Sequence, residues 1–292
     1  MPFVPPPLGV TAVMLPELDL AEQLALAREL GLRYYSLRPR IIAPGDRAQP
    51  YSNWGNHKFD LTPQRLVHEA ASLRRQILEA GLEPFGTVPA AHLGQSPDEL
   101  RLQLEGAAAM GAGRVRINPP PYPAEPFDYV RFLDQVLAGY AQVLSLARPL
   151  GVKLVMETHA GSLAAGPGLA YNIVRHFDPR QLGVIFDLAN FAREGVLVPH
   201  LAVSVLAPWI DHCHLGASRR VSGGVDAAGF RRVELQFCGL KEGDLYLPPW
   251  FAALHQAAPQ APLILEDYTP GMSGSERLRR AVGDLKQAWA AL

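Results

Sequence analysis

The sequence predicts an α/β fold, a single (β/α)8 barrel, and three observations lead there. Short apolar segments alternate with helical patterns eight times without a break, as a parallel sheet wrapped in helices requires. Glycines stand where several helices should stop and strands should follow. The last four strands each run into a metal-capable side chain, and a parallel barrel aims such strand ends at one shared mouth. An open doubly wound sheet is the alternative, but eight units are the number that closes a barrel.

In chain order, strands are expected near 8–14, 33–38, 83–89, 114–118, 152–158, 182–188, 210–215 and 262–267. Helices are expected near 19–30, 62–80, 97–110, 127–149, 168–177, 198–207, 248–257 and 275–290. Thr62-Pro63 and Ser96-Pro97 read as N-caps followed by proline at the first helical position. Gly31, Gly81, Gly111 and Gly151 mark helix exits. Three connections exceed the usual few residues: 39–61 with PYSNWGNHKFD, 118–126 with NPPPYPAEP, and 216–247. All three follow strands, on the face where barrels place their sites, and are expected to wall or cover the mouth.

With 292 residues and no composition break, one domain spanning 1–292 is expected. No run of about 20 apolar residues occurs, so no membrane span is expected. MPFVPPPLGV lacks a basic segment followed by an apolar one, so no signal peptide is expected either. Two cysteines, Cys213 and Cys238, give no disulfide framework and suit a reducing cytoplasm. A net charge of −1 argues against broad attraction to nucleic acid or membrane. The assembly state is left open between a monomer and a homo-oligomer.

The four segments that carry chemistry are VMETH (155–159), FDLAN (186–190), DHCHL (211–215) and LILEDY (263–268). They supply Glu157, Asp187, His214 and Glu266. One strand-end carboxylate alone is more often a helix cap than a ligand. Four groups at four consecutive strand ends reverse that reading. An O/O/N/O set suits Mn²⁺, Mg²⁺, Co²⁺ or Zn²⁺ and lacks the thiolates of a structural zinc site. The two-residue period places His212 one layer below His214, as a partner behind the ligands, and turns Cys213 to the opposite face.

These segments resemble the xylose isomerase-like TIM barrels of the sugar phosphate isomerase/epimerase superfamily. VMETH is similar to that family's fifth-strand "lE.H" motif, GVIFDLANF to its sixth-strand motif and DHCHL to its seventh-strand "H.H". LKEGDLYLPPWFAAL resembles the "GeGd" segment and LILEDY the eighth-strand glutamate. The resemblance implies Glu157, Asp187, His214 and Glu266 as metal ligands, with Glu157 and Glu266 also the acid/base pair of ketose epimerase-like members. Departures accompany it. His214-Leu215-Gly216-Ala217 stands where many members read "HlKD". Leu163 replaces a substrate-binding glutamate, and Asn190 a histidine. Arg220 matches the spacing of an arginine six residues past the metal histidine, though Arg219 is adjacent.

A divalent ion chelating a carbonyl and its neighbouring hydroxyl would stabilise the enediolate left when the C–H between them loses its proton. The expected function is therefore a metal-dependent sugar or sugar phosphate isomerase or epimerase in carbohydrate metabolism, acting on a small polyhydroxy or keto-sugar. Glu157 and Glu266 are the expected catalytic groups; His159, Asn190 and Arg220 are candidate hydroxyl or phosphate contacts, and Trp54 a candidate wall against a sugar ring. The alternatives are an inosose dehydratase-like lyase or a hydroxypyruvate isomerase-like enzyme on the same site. A non-catalytic carbohydrate-binding barrel and a metal-dependent abasic-site endonuclease are weaker readings.

Overall fold

The computed structural model describes residues 3–290. Seven short parallel strands come first: β1 (Leu8–Thr11), β2 (Tyr34–Leu37), β3 (Glu83–Thr87), β4 (Arg114–Arg116), β5 (Lys153–Glu157), β6 (Leu182–Asp187) and β7 (Ile210–Leu215). The chain then leaves as an antiparallel hairpin, β8 (Ala217–Val225) and β9 (Arg231–Cys238), and returns as β10 (Leu263–Leu265). Pairing runs β1–β10–β7–β6–β5–β4–β3–β2 and closes on itself, so the eight-stranded barrel expected from the alternation is the observed fold.

The helices form the outer layer: α1 (Leu20–Glu29), α2 (Pro63–Glu79), α3 (Pro97–Met110), α4 (Tyr129–Ala147), α5 (Pro167–Val174), α6 (Leu188–Glu194), α7 (Pro199–Leu206), α8 (Leu247–Ala257) and α9 (Gly274–Trp289). Thr62 and Ser96 accept the backbone N–H three residues on and are followed by proline, as their sequence pattern predicts. Asp19 and Ser273 add reciprocal capping boxes with Glu22 and Glu276. At Gly111 and Gly151 the backbone turns left-handed, with φ of 70° and 66°, a conformation that side chains disfavour.

The two-residue period of each strand divides its side chains between two cores. Leu154, Met156, Phe186, Leu215 and Leu265 face the helices, where they meet Leu104, Tyr140, Phe191, Trp250 and Leu278. Val155, Ile185 and Ile264 are buried on the alternate face, inside the barrel. One step further along that interior face come Glu157, Asp187 and Glu266. The apolar runs thus drive barrel closure, and closure aims the polar strand ends inward.

Several expected bounds are too long. Residues 12–14 form a 3-10 turn, and β10 ends before Glu266, whose N–H still donates to the Leu215 carbonyl at 2.9 Å. Residues 216–247 hold the β8–β9 hairpin where a plain loop was expected, and α6 follows β6 directly. Among the described residues no helix is long and apolar enough to cross a membrane.

Candidate metal centre

β5, β6, β7 and the residue after β10 bring Glu157, Asp187, His214 and Glu266 to the barrel mouth. Register makes this possible: Asp187 pairs with His214, Glu157 with Ile185, and Ile264 with His214. The stagger of a closed, tilted barrel compensates the offsets between neighbours. All four side chains are buried, and one donor atom from each lies within 4.8 Å of all the others.

Three carboxylates crowd one imidazole nitrogen. His214 Nδ1 lies 3.1 Å from Glu157 Oε1, 3.3 Å from Glu266 Oε2 and 3.9 Å from Asp187 Oδ2. A single N–H satisfies at most one or two such acceptors. Glu266 Oε1 and His214 Nε2 are buried without any hydrogen-bond partner. A hard, oxygen-rich donor set with surplus buried negative charge fits a divalent cation such as those expected from the sequence.

The charges respond to this crowding. Burial favours the neutral form of Glu157, but Arg116 and His214 outweigh it and hold the carboxyl well below the usual range. Burial and then the Glu157 charge push Asp187 well above it. Burial opposes a charged His214, yet Glu266 and Glu157 raise it to about 10. A proton therefore takes the central position unless a cation displaces it.

Neighbouring residues fix the four candidate ligands. Asp187 divides its carboxylate: Oδ1 accepts from the Asn190 N–H at 2.7 Å, capping α6, while Oδ2 turns to His214. Arg116 Nη1 donates to Glu157 Oε2 at 2.7 Å and Nη2 to the Pro89 carbonyl. Asn118 Oδ1 accepts from the Glu157 backbone N–H at 2.9 Å. The Thr158 hydroxyl accepts from the Asp187 N–H and donates to the Ile185 carbonyl. Arg116, Asn118, Arg38 and Tyr268 were not singled out by the sequence reading. Their signal was placement, each at or just past a barrel strand end.

The other expected site residues scatter around this centre. The His159 ring is exposed and bonds the Ala160 carbonyl. Asn190 is buried, and its Oδ1 accepts from the Ala160 N–H at 3.3 Å, tying α6 to the loop after β5. Trp54 is 56% exposed and packs on Tyr268, with ring centres 4.8 Å apart. Phe237 of the hairpin meets the same Tyr268 ring at 5.4 Å, so 39–61 and 216–247 both reach the rim of Glu266. Arg220 is turned elsewhere, to the Asp244 carboxylate and the Arg193 carbonyl. His212 lies behind His214, ring centres 5.1 Å apart, and is bonded to Asp211; Cys213 is buried toward the helices.

A family model described as xylose isomerase-like TIM barrel matches residues 24–288. The chain belongs to that family. No curated protein matches it in sequence. Solved structures similar to this xylose isomerase-like barrel include 3-keto-D-glucoside 4-epimerase from E. coli, with 13% identity over 98% of this chain and 99% of that one and a TM-score of 0.68. The IOLI protein with a zinc atom is 15% identical over 98% of each chain, with a TM-score of 0.69. A xylose isomerase-like TIM barrel protein from Mycobacterium smegmatis in complex with magnesium is 15% identical over 97% of each chain, with a TM-score of 0.65. At such identities the likeness carries the fold; the reading of the site rests on this chain's own residues.

Proposed function

We propose that the protein is a divalent-metal-dependent isomerase or epimerase of a small hydroxy-ketone such as a keto-sugar, with Glu157, Asp187, His214 and Glu266 as ligands. The observation that carries the reading is the convergence of three buried carboxylates on His214 Nδ1 at the barrel mouth. The zinc and magnesium named for two structural neighbours, and the epimerase named for a third, agree with it. A divalent ion in this donor set supplies Lewis acidity, which acidifies a C–H beside a carbonyl held there.

The protein's own groups move the proton. Glu157 has both oxygens engaged, one by His214 and one by Arg116, so its carboxylate is held rigidly and kept charged. Glu266 Oε1 has no partner and is the freer acceptor for a substrate proton. Trp54 packs on Tyr268 and offers an apolar wall on one side of the mouth. Isomerisation, epimerisation and some dehydrations share this first proton removal.

A panel of keto-sugars, their phosphates and small hydroxy-ketones, assayed with Mn²⁺ or Co²⁺, identifies a turned-over substrate. Reaction in D₂O should then place solvent deuterium on the carbon beside the carbonyl. Glu157→Gln and Glu266→Gln should each slow turnover by about 10²-fold or more, even with the metal restored. Complete retention of the original hydrogen would point instead to a hydride shift, with both glutamates serving as ligands only.

A further inference from the structure

Arg38 follows β2 and belongs to the interior face, two residues beyond the buried Ser36. It is only 8% exposed, yet no carboxylate pairs with it among the described residues. Its Nη1 reaches one acceptor, the Asn53 carbonyl, at a long 3.4 Å, and its Nε has none. The buried Arg277 and the half-buried Arg116 also leave Nε unpartnered, but each bonds through both terminal nitrogens at ordinary lengths: Arg116 to Glu157 and Pro89, Arg277 to Asn53 and Met14.

Its surroundings place Arg38 at the mouth. The guanidinium lies 5.1 Å from the centre of the Trp54 ring, which packs on Tyr268. Burial lowers its pKa to about 10; Tyr268 and Glu266 sit close enough to favour its charge, and Arg116 and Arg40 close enough to oppose it. It remains charged at neutral pH. A buried, unpaired guanidinium is costly, and an arriving anion removes that cost with a two-pronged, charge-assisted contact.

We propose that the substrate carries an anionic group, a carboxylate or a phosphate, and that Arg38 receives it while the hydroxy-ketone end lies at the four-residue centre. The inference rests on the metal reading above. With a divalent ion present, that ion and Arg116 balance the carboxylates of Glu157, Asp187 and Glu266. Arg38 is then a positive charge in excess, matched to one negative charge on the ligand. Arg220, one of the hydroxyl or phosphate contacts expected from the sequence, is paired with Asp244.

The test loads metal-free protein with Mn²⁺, reads its binding calorimetrically, and then titrates three probes that share one hydroxy-ketone head. These are dihydroxyacetone, which is neutral, hydroxypyruvate, which adds a carboxylate, and dihydroxyacetone phosphate. At least one anionic probe should bind on the order of 10- to 100-fold tighter than dihydroxyacetone, the range of a buried charge-assisted contact. The tighter of the two anions names the source. Arg38→Gln should erase the preference while Mn²⁺ affinity and dihydroxyacetone binding stay within about 3-fold, and Arg38→Lys should keep part of it. Equal affinity for all three probes in the wild type, or no binding of either anion, overturns the proposal whether or not the variants fold. A preference that survives Arg38→Gln overturns it too, the anion then being held by the metal alone. Failure of the wild type to bind Mn²⁺ strikes the metal reading and this one together; Mn²⁺ binding without an anion preference strikes this one only.

Discussion

Asp187 shows how one residue can satisfy an ordinary structural role and a chemical one together. Its Oδ1 caps α6 while its Oδ2 faces His214, so the cap leaves one oxygen free for the proposed ligand role. The four proposed ligands were legible because each interrupts an apolar run at the same point of its unit. Arg38 and Arg116 were not, because an arginine at a strand end reads equally well as a solvated charge, and only closure shows that it is buried. His57 gives the residue-scale prediction. It is buried in the same loop as Trp54, with Nε2 3.2 Å from the Asn53 carbonyl, and burial depresses its pKa to about 4 despite that bond. The unfolded chain binds this proton near pH 6.5 and the native chain near 4, so acid favours unfolding across that window. Stability should fall by on the order of 2 kcal/mol as pH drops from 7 to 4.5, and His57→Gln should flatten this part of the profile in urea titrations. An unchanged slope in the variant would remove His57 as the cause.

Strand and helix identities were legible wherever caps and glycine exits framed them, and two elements were not. α6 has seven residues, fewer than two turns, so no helical period could declare itself. The hairpin escaped because β8, ASRRVSGGV, writes no alternation; β9 alternates Val233, Leu235 and Phe237 with Glu234 and Gln236, but the stretch is short and exposed on both faces. Both lie at the mouth. At this scale the rim should act on substrate rather than metal: Trp54 and Phe237 come from different segments yet meet on one Tyr268 ring. Trp54→Ala should weaken binding of a turned-over substrate by about 10-fold, the worth of one aromatic contact, with Mn²⁺ affinity unchanged. Wild-type KM in that variant would put the loop outside the binding surface.

Across the whole barrel, charge is gathered at two ends. At the foot, Asp211 joins Arg114 at 2.6 Å, Lys153 at 2.7 Å and His212 at 2.9 Å, so a single carboxylate is shared by two cations and an imidazole. At the mouth the carboxylates outnumber their partners, and that imbalance separates a site from a brace. A cation that binds only the folded chain must stabilise it by mass action. The most direct test of the metal centre is a calorimetric Mn²⁺ titration of metal-free protein, wild type beside Asp187→Ala, with thermal melts of both. The expected result is one ion per wild-type chain, a melting midpoint that climbs with Mn²⁺, and loss of both effects in Asp187→Ala. Equal stoichiometry and affinity in the two proteins would contradict it.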